Sequence, residues 1–429
     1  MKEVGIGLVG VGTVGQGVLE ILKTSKEKIE KRTGISLNLL AVCDKNPDVI
    51  KKFPEVSSLF TTNYKEVLEN SNIQIIIELI GGTQIAYNVV KEALEKQKTV
   101  VTANKALLSE KGSELFQLAY EKKVEIGFEA AVAGTIPIIR SIKSSLIANE
   151  FLSIYGILNG TTNFILTKME EENLDYESAL KLAQDLGFAE KDPSFDVEGI
   201  DAAHKLSLLA GLAFGKRVSI KDMYIEGISK VSKTEILFAK ELGYRIKLLG
   251  ICKQTGNEIE ARVHPTMVPL SHPISRIANE MNAVYVYTNY SGPLMFSGKG
   301  AGSLPTASAV ISDLVYYSTR LDKTDEFFEN NIFPDAHLIP SSEAEERFYL
   351  RFNTIDRPGV IASISHILGK NGISISSVRQ HETKKEPVEV IFLTHKAKEI
   401  SIRRAIQEID ETGDYILQPS VLMRLEELP

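Results

Sequence analysis

Hydrophobic and polar positions change their period along the chain, and the changes divide it. Over residues 1–135, continuous apolar runs alternate with stretches of helical period. Val4–Val9, Leu37–Cys43, Ile73–Leu79, Thr99–Thr102 and Val124–Phe128 predict strands. Gly15–Lys23, Tyr64–Asn70, Ile85–Lys96 and Ser113–Tyr120 predict the helices between them. Strands apolar on both faces and joined by helices imply a parallel sheet covered on both sides. Over 136–302, longer helical stretches (Pro137–Leu146, Tyr176–Leu186, Asp201–Phe214, Lys233–Leu242) mix with alternating segments such as Glu258–Val263 and Ala283–Tyr290. That pattern predicts an α+β domain on an antiparallel or mixed sheet. A largely apolar run, Thr306–Tyr317, predicts a helix near 303–322 that returns to the first domain.

Residues 323–346 read as a linker, with Pro334, Pro340 and the polar, acidic run Ser341–Glu346. Beyond it, over 347–429, the pattern is strand Arg347–Asn353, helix Val360–Asn371, strand Ile373–His381, strand Val388–His395, helix Ile400–Glu411, strand Tyr415–Leu422. That βαββαβ order is the ferredoxin-like motif.

Composition narrows the class. A chain of 429 residues exceeds one ordinary core and points to roughly two to three domains. Hydrophobic and charged shares of 43% and 24% are those of a globular protein. A net charge of −7, with pI ≈ 5.7, argues against a nucleic-acid surface and fits a protein that handles small solutes. No run approaches the ~18 apolar residues of a membrane span. The N-terminus enters a strand directly, so no signal peptide is expected. Cys43 and Cys252 lie in apolar runs and are expected to be buried and reduced. These features together predict a cytoplasmic protein with no membrane partner.

Gly10-Val11-Gly12-Thr13-Val14-Gly15 follows the first strand and opens the first helix. In that context the glycines permit a tight turn against a pyrophosphate, which the helix N-terminus stabilises. This predicts a Rossmann-type nucleotide-binding domain. Asp44 closes the second strand, where an acid binds the adenosine ribose. It lies further from the turn than usual, and Lys23–Gly34 accounts for the excess. Asp44 favours NAD, while Lys45, Lys51 and Lys52 can hold a 2′-phosphate, so NAD and NADP both stay open. Gly81-Gly82-Thr83 and Thr102-Ala103-Asn104-Lys105 follow further strands, at the sheet edge where ligands bind. Lys105 is thereby expected on the nicotinamide side of the crevice.

The densest chemistry lies in Ala183–Lys205, with Glu190, Asp192, Asp196 and Asp201 at or before a helix that carries Lys205. Asp201 and Lys205 are one helical turn apart and face the same side. Clustered carboxylates with a lysine can grip a molecule that has an amino group and a reacting oxygen. His204 points about 100° away from Lys205 and reads as a structural neighbour. The remaining histidines show no metal-ligand spacing.

The chain resembles the homoserine dehydrogenases over its whole length. The resemblance rests on Gly187, Asp192-Pro193, Asp196, Gly199, Asp201 and Lys205, on Val101–Lys105, on Asn159-Gly160-Thr161-Thr162-Asn163, and on Gly300-Ala301-Gly302 with Pro305-Thr306. The C-terminal unit resembles an ACT domain through Asp356-Arg357-Pro358-Gly359 and Asn371-Gly372-Ile373. The resemblance implies a reversible, NAD(P)H-dependent reduction of L-aspartate 4-semialdehyde to L-homoserine, and an α+β domain that is both catalytic and dimerising. It implies Lys205 as proton donor and Lys105 as a second essential lysine, with Asp201 beside them. Glu190, Asp196, Asp201, Asn159 and Thr161 would contact substrate. Gly187, Gly302, Gly82 and Thr83 would approach the cofactor. Glu129, Val132, Gly134 and Ile136 match a site for a monovalent cation such as sodium, built largely from backbone carbonyls. Asp356, Pro358, Gly359, Asn371, Gly372 and Ile373 would sense an effector, expected to be threonine. A homodimer or homotetramer is implied.

A lysine suits the reaction, because its ammonium both stabilises and protonates the oxygen on which charge develops. The enzyme that makes aspartate semialdehyde needs a nucleophilic cysteine between its domains, and neither Cys43 nor Cys252 lies there. An amino-acid sensor without catalysis would not need the glycine turn with Asp201 and Lys205.

Overall fold

The apolar runs of the first segment close into a six-stranded parallel sheet in this computed structural model, which describes residues 2–321, 333–380, 386–411 and 414–429. The order is Phe60–Thr61, Ile35–Cys43, Lys2–Val9, Ile75–Glu78, Thr99–Thr102, Ile126–Gly127. It reverses between Lys2–Val9 and Ile75–Glu78, and ligands bind at the carboxyl ends of strands at such a point. The first helix runs Thr13–Thr33, well past Lys23, so Lys23–Thr33 extends a surface helix that ends at Gly34 with φ 71. The fifth helix spans Lys105–Lys122 rather than Ser113–Tyr120, because Asn104 caps it at Leu107 N. Ser303–Ser318 packs on the first helix. A Cβ at Gly17 would come within 2.7 Å of Ser303 O, so only glycine permits that approach.

The second sheet has eleven strands and runs through both remaining units. Its path is Gly292–Lys299, Met281–Thr288, Phe151–Ile157, Tyr244–Thr255, Glu258–Pro269, Ile416–Leu425, Glu345–Thr354, Val388–Thr394, Ile375–Gln380. The C-terminal strand therefore extends beyond Leu422 and pairs with the catalytic unit at Thr266↔Arg424 and Met267↔Leu425. Charges seal this joint. Lys253 Nζ meets Glu346 at 3.0 Å and Glu426 at 2.6 Å, and Arg262 pairs with Glu346. Arg424 reaches Glu226 at 3.0 Å, and Arg351 reaches Glu235 at 2.6 Å.

Sequence patterning misses Phe151–Ile157 and the helix Gly160–Glu171. Pro137–Leu146 is a short helix, Ile138–Arg140, continued by a π-helical turn, Ser141–Ser145. Much of the expected linker and His381 lie outside the described residues. The described part of the linker is docked on the catalytic unit: Arg217 N donates to Pro334 O, and Ile259 N to His337 O. Cys43 and Cys252 are free and buried. Among the described residues no helix is long and apolar enough to cross a membrane.

Candidate active site

A cleft of about 640 Å³ lies between the two sheets. It runs from Thr13 and Val14 in the glycine turn to Asp201 and Lys205. Asp201 is at its centre. It enters the helix Ile200–Phe214 after Gly199, in the first turn where the helix dipole favours an anion. Its Oδ1 meets Lys105 Nζ at 2.7 Å and its Oδ2 meets Lys205 Nζ at 2.7 Å. Lys205 Nζ also donates to Leu158 O at 2.6 Å, at the end of the strand Phe151–Ile157. The two lysines come from different units, so one carboxylate joins the halves of the site.

The second tie is Asn159. Its Oδ1 accepts from Thr162 N and so caps Gly160–Glu171. Its Nδ2 donates to Asp196 Oδ1 at 2.7 Å and to Asp201 Oδ2 at 2.8 Å. The amide is buried and holds two carboxylates side by side. Thr161 Oγ1 donates to Phe188 O at 2.7 Å and fixes the Gly187–Glu190 turn against the same helix. Glu190 lies exposed on the rim of the cleft.

Electrostatics divide these groups. Burial raises Asp201, but Lys205 and Lys105 outweigh it and hold the carboxyl below its usual range. Burial and the neighbouring carboxylate of Asp201 raise Asp196. Lys205 is 7% exposed, and burial pushes its pKa down despite the opposing pull of Asp201. Lys205 therefore lies below the ordinary lysine value near ~10.4, because desolvation outweighs its carboxylate neighbours. His204 packs on Phe195 and its Nδ1 lies 2.5 Å from Ser109 Oγ, as a structural neighbour would.

At the nucleotide end, the turn Gly10–Gly15 precedes the free N-terminus of Thr13–Thr33. A side chain at Gly12 would meet only open space, which leaves room for a phosphate above the turn. Asp44 Oδ2 accepts from Val11 N at 2.6 Å and its Oδ1 from Asn46 N at 2.8 Å, so this acid also braces the turn. Lys45 is exposed, Lys51 pairs with Asp48, and Lys52 reaches Gln16. Gly82 O accepts from Asn104 Nδ2 at 2.7 Å, and Thr83 precedes the helix Gln84–Glu95. Gly302 caps the returning helix, whose Ser303 Oγ donates to Thr13 O. Gly187 and Gly302 both line the cleft.

Glu129, Val132, Gly134 and Ile136 lie on one buried loop, of which Gly134 lines the cleft. Glu129 is not a solvated loop acid. Its two oxygens accept from Ile139 N at 2.8 Å and Arg140 N at 3.0 Å. The effector corners do not meet within this chain. Asp356, Pro358 and Gly359 precede the helix Val360–Lys370, and Asn371, Gly372 and Ile373 follow it. Eleven helical residues separate them by ~16 Å.

Phe188, Glu280 and Thr306 also line the cleft. Thr306 belongs to the block that begins at Gly300 and Phe188 lies inside Ala183–Lys205, but nothing along the chain marked Glu280. Glu280 arrives from a loop remote in the chain and Thr306 from the returning helix.

A family model described as the homoserine dehydrogenase NAD-binding domain matches residues 10–129. One described as homoserine dehydrogenase matches 137–315, and an ACT-domain model matches 348–414. A homoserine dehydrogenase of Neisseria gonorrhoeae is 40% identical over 435 residues, covering 100% of both chains. One of Pseudomonas aeruginosa is 40% identical over 436 residues with the same coverage. The solved structure of a homoserine dehydrogenase from Thiobacillus denitrificans superposes with a TM-score of 0.92 at 40% identity, covering 100% of this chain and 99% of that one. The chain belongs to the homoserine dehydrogenase family, NAD(P)-dependent oxidoreductases acting on a CH–OH group, and carries a C-terminal ACT domain.

Proposed function

We propose that the cleft interconverts L-aspartate 4-semialdehyde and L-homoserine, in the aspartate route to threonine, methionine and isoleucine, with Lys205 as the proton donor. The observation that carries this reading is Asp201 bridging Lys105 and Lys205 at the substrate end of the cleft. The open glycine turn and free helix N-terminus suit a dinucleotide, with Thr13, Val14 and Gly302 beside it. When bound, the nicotinamide supplies or takes up the hydride. Asp196 and Asp201 hold the substrate's amino end, with Asn159 fixing both acids in place, and Glu190 contacts the substrate from the rim. Lys205 delivers its proton to the oxygen on which negative charge develops, and desolvation eases that transfer. Lys105 adds a second positive charge to the same field.

The test is oxidation of NADPH and of NADH by the full chain with aspartate semialdehyde, compared with Lys205→Ala. A variant with wild-type turnover would remove Lys205 from its role.

The chain works as a cytoplasmic homodimer or homotetramer, divided functionally at 1–135, 136–302 and 347–429. A monovalent cation such as sodium is held by main-chain oxygens around Val132, Gly134 and Ile136, since the Glu129 carboxylate is committed to Ile139 and Arg140. Removing sodium is expected to lower activity. Threonine acts at Asp356–Gly359 and Asn371–Ile373, and the distance between these corners favours a site completed by a second chain. Asn371→Ala is expected to blunt inhibition by threonine. Deleting the module is a poor test, because it would strip the sheet at Thr266 and Met267.

A further inference from the structure

The loops around the nucleotide crevice meet over a buried carboxylate that no step above uses. Glu78 ends the strand Ile75–Glu78 with no exposed surface. Alternation places it on the same face as Ile76. Helices Tyr64–Glu69, Gln84–Glu95 and Lys105–Lys122 cover that face, and an apolar residue would serve packing better.

Its oxygens organise the loops around it. Oε1 accepts from Ile80 N at 2.6 Å, and Oε2 accepts from Thr102 Oγ1 at 2.6 Å. Thr102 Oγ1 in turn accepts from Asn104 N at 3.0 Å. Asn104 Nδ2 donates to Ile80 O and Gly82 O, while its Oδ1 caps the helix that begins at Lys105. The glycine turn rests on the same place. Gly10 has φ +101, and a Cβ there would come within 2.6 Å of Leu79 C and O. One carboxylate thus underlies the glycine turn, the Ile80–Thr83 loop and the start of the Lys105 helix.

The direction of this relay depends on charge. Thr102 has one hydroxyl proton, and it goes to Glu78, which leaves the oxygen free to accept from Asn104. A neutral carboxyl or amide at position 78 has to place a donor against Ile80 N–H or against that hydroxyl. The partners of Glu78 are neutral, and burial raises its pKa to about 7. Several charged side chains on the covering helices face other groups. Glu66 faces Thr61, Glu92 faces Tyr64, Glu114 faces Tyr87, Lys91 and Lys111 face the Tyr87 ring, and Lys105 faces Asp201.

We infer that Glu78 is a positioning residue for the reaction: through Thr102 and Asn104, its ionised carboxylate holds the dinucleotide loops and the Lys105 helix start in one register. This rests on the reading of the crevice and of Lys105 given above.

The experiment titrates NADPH and NADH binding to the full chain by cofactor fluorescence from about pH 6 to about pH 9, alongside kcat. Wild type is expected to bind more tightly as pH rises through about 7. Glu78→Gln is expected to bind about tenfold more weakly at alkaline pH, with no such pH dependence and a lower kcat, as loss of a charge-assisted hydrogen bond implies. Thr102→Val should behave likewise, and Thr102→Ser should restore the wild-type profile. These two carry the comparison if Glu78→Gln does not fold. Glu78→Gln or Thr102→Val with only a lower melting temperature, and wild-type Kd, kcat and pH profile, overturns the inference. A Lys105→Ala enzyme with full kcat overturns the reading of Lys105 instead, and leaves the binding arm to judge Glu78 alone.

Discussion

Lys105 and Lys205 hold opposite oxygens of the Asp201 carboxylate, each at 2.7 Å. Lys105 starts a helix of the nucleotide-binding unit, while Lys205 sits one turn into a helix of the catalytic unit. Their environments differ: the Lys105 side chain is 31% exposed and that of Lys205 9%. The buried ammonium, with its depressed pKa, is the readier proton donor. Lys105, about a third exposed, reaches the same carboxylate from the nucleotide-binding unit. On this basis Lys205→Ala is expected to lower kcat by about 10²–10⁴-fold, the span of general acid catalysis, with substrate KM changed far less. Lys105→Ala should raise KM and lower kcat together. Steady-state rates with aspartate semialdehyde check both.

The direction of the Lys205 shift fixes the pH dependence. Oxidation of homoserine requires a neutral amine to take the proton, so its rate rises with pH through the Lys205 pKa. Reduction requires the ammonium and falls over the same range. Burial lowers that pKa, so both limbs lie below the usual lysine value of 10.5. Lys205→Arg is expected to abolish the alkaline rise, because arginine stays charged throughout. Rate–pH profiles in both directions measure this, and a rise kept by the arginine variant would assign the group elsewhere.

Asn159 is expected to act on substrate through the acids it holds. Asn159→Ala removes the amide between Asp196 and Asp201 and leaves a buried and a half-buried carboxylate to repel each other. Hydrogen bonds to charged groups contribute about 1.5–3 kcal/mol each. A rise of about tenfold or more in the homoserine KM follows, with cofactor Kd unchanged. Asn159→Asp should be worse than alanine, since it adds a third carboxylate.

Gly10→Ala is expected to fail for a backbone reason. The position has φ +101, and the added Cβ would overlap Leu79. Left-handed strain of this kind costs about 1–3 kcal/mol before any overlap. Thermal unfolding should report the loss of stability, and NADPH titration should report loss of binding at temperatures where the chain stays folded.

The joint between the ACT domain and the catalytic sheet is expected to be intolerant of single charge deletions. Arg262 is 1% exposed and pairs with Glu346 across the joint. Arg262→Ala leaves Lys253 as the one cation among the described residues facing Glu260, Glu346 and Glu426, and breaking a buried pair costs about 3–5 kcal/mol. Denaturant unfolding of the full chain measures it. Replacing Arg262 and Glu346 together by apolar residues should recover much of that loss.

The local chemistry is legible along the chain. The apolar runs at Val4–Val9 and Ile75–Glu78 dictate buried parallel strands, and the glycine turn between strand and helix dictates a dinucleotide site. Asp201 and Lys205 are neighbours by helical period alone, whatever surrounds them. Tertiary structure decided what no local pattern encodes. Lys105 meets Asp201 because helices from two units converge, and Asn159 bridges two acids because a strand ends where Ile200–Phe214 begins. Glu346, Glu426 and Arg262 carry charge along the chain, yet sheet pairing at Thr266 and Met267 buries them, with Lys253 half-buried beside them. The pKa shifts belong to this second class, because desolvation depends on which distant segments cover a group. The same side chain is an ordinary lysine in sequence and a proton donor only in its folded surroundings.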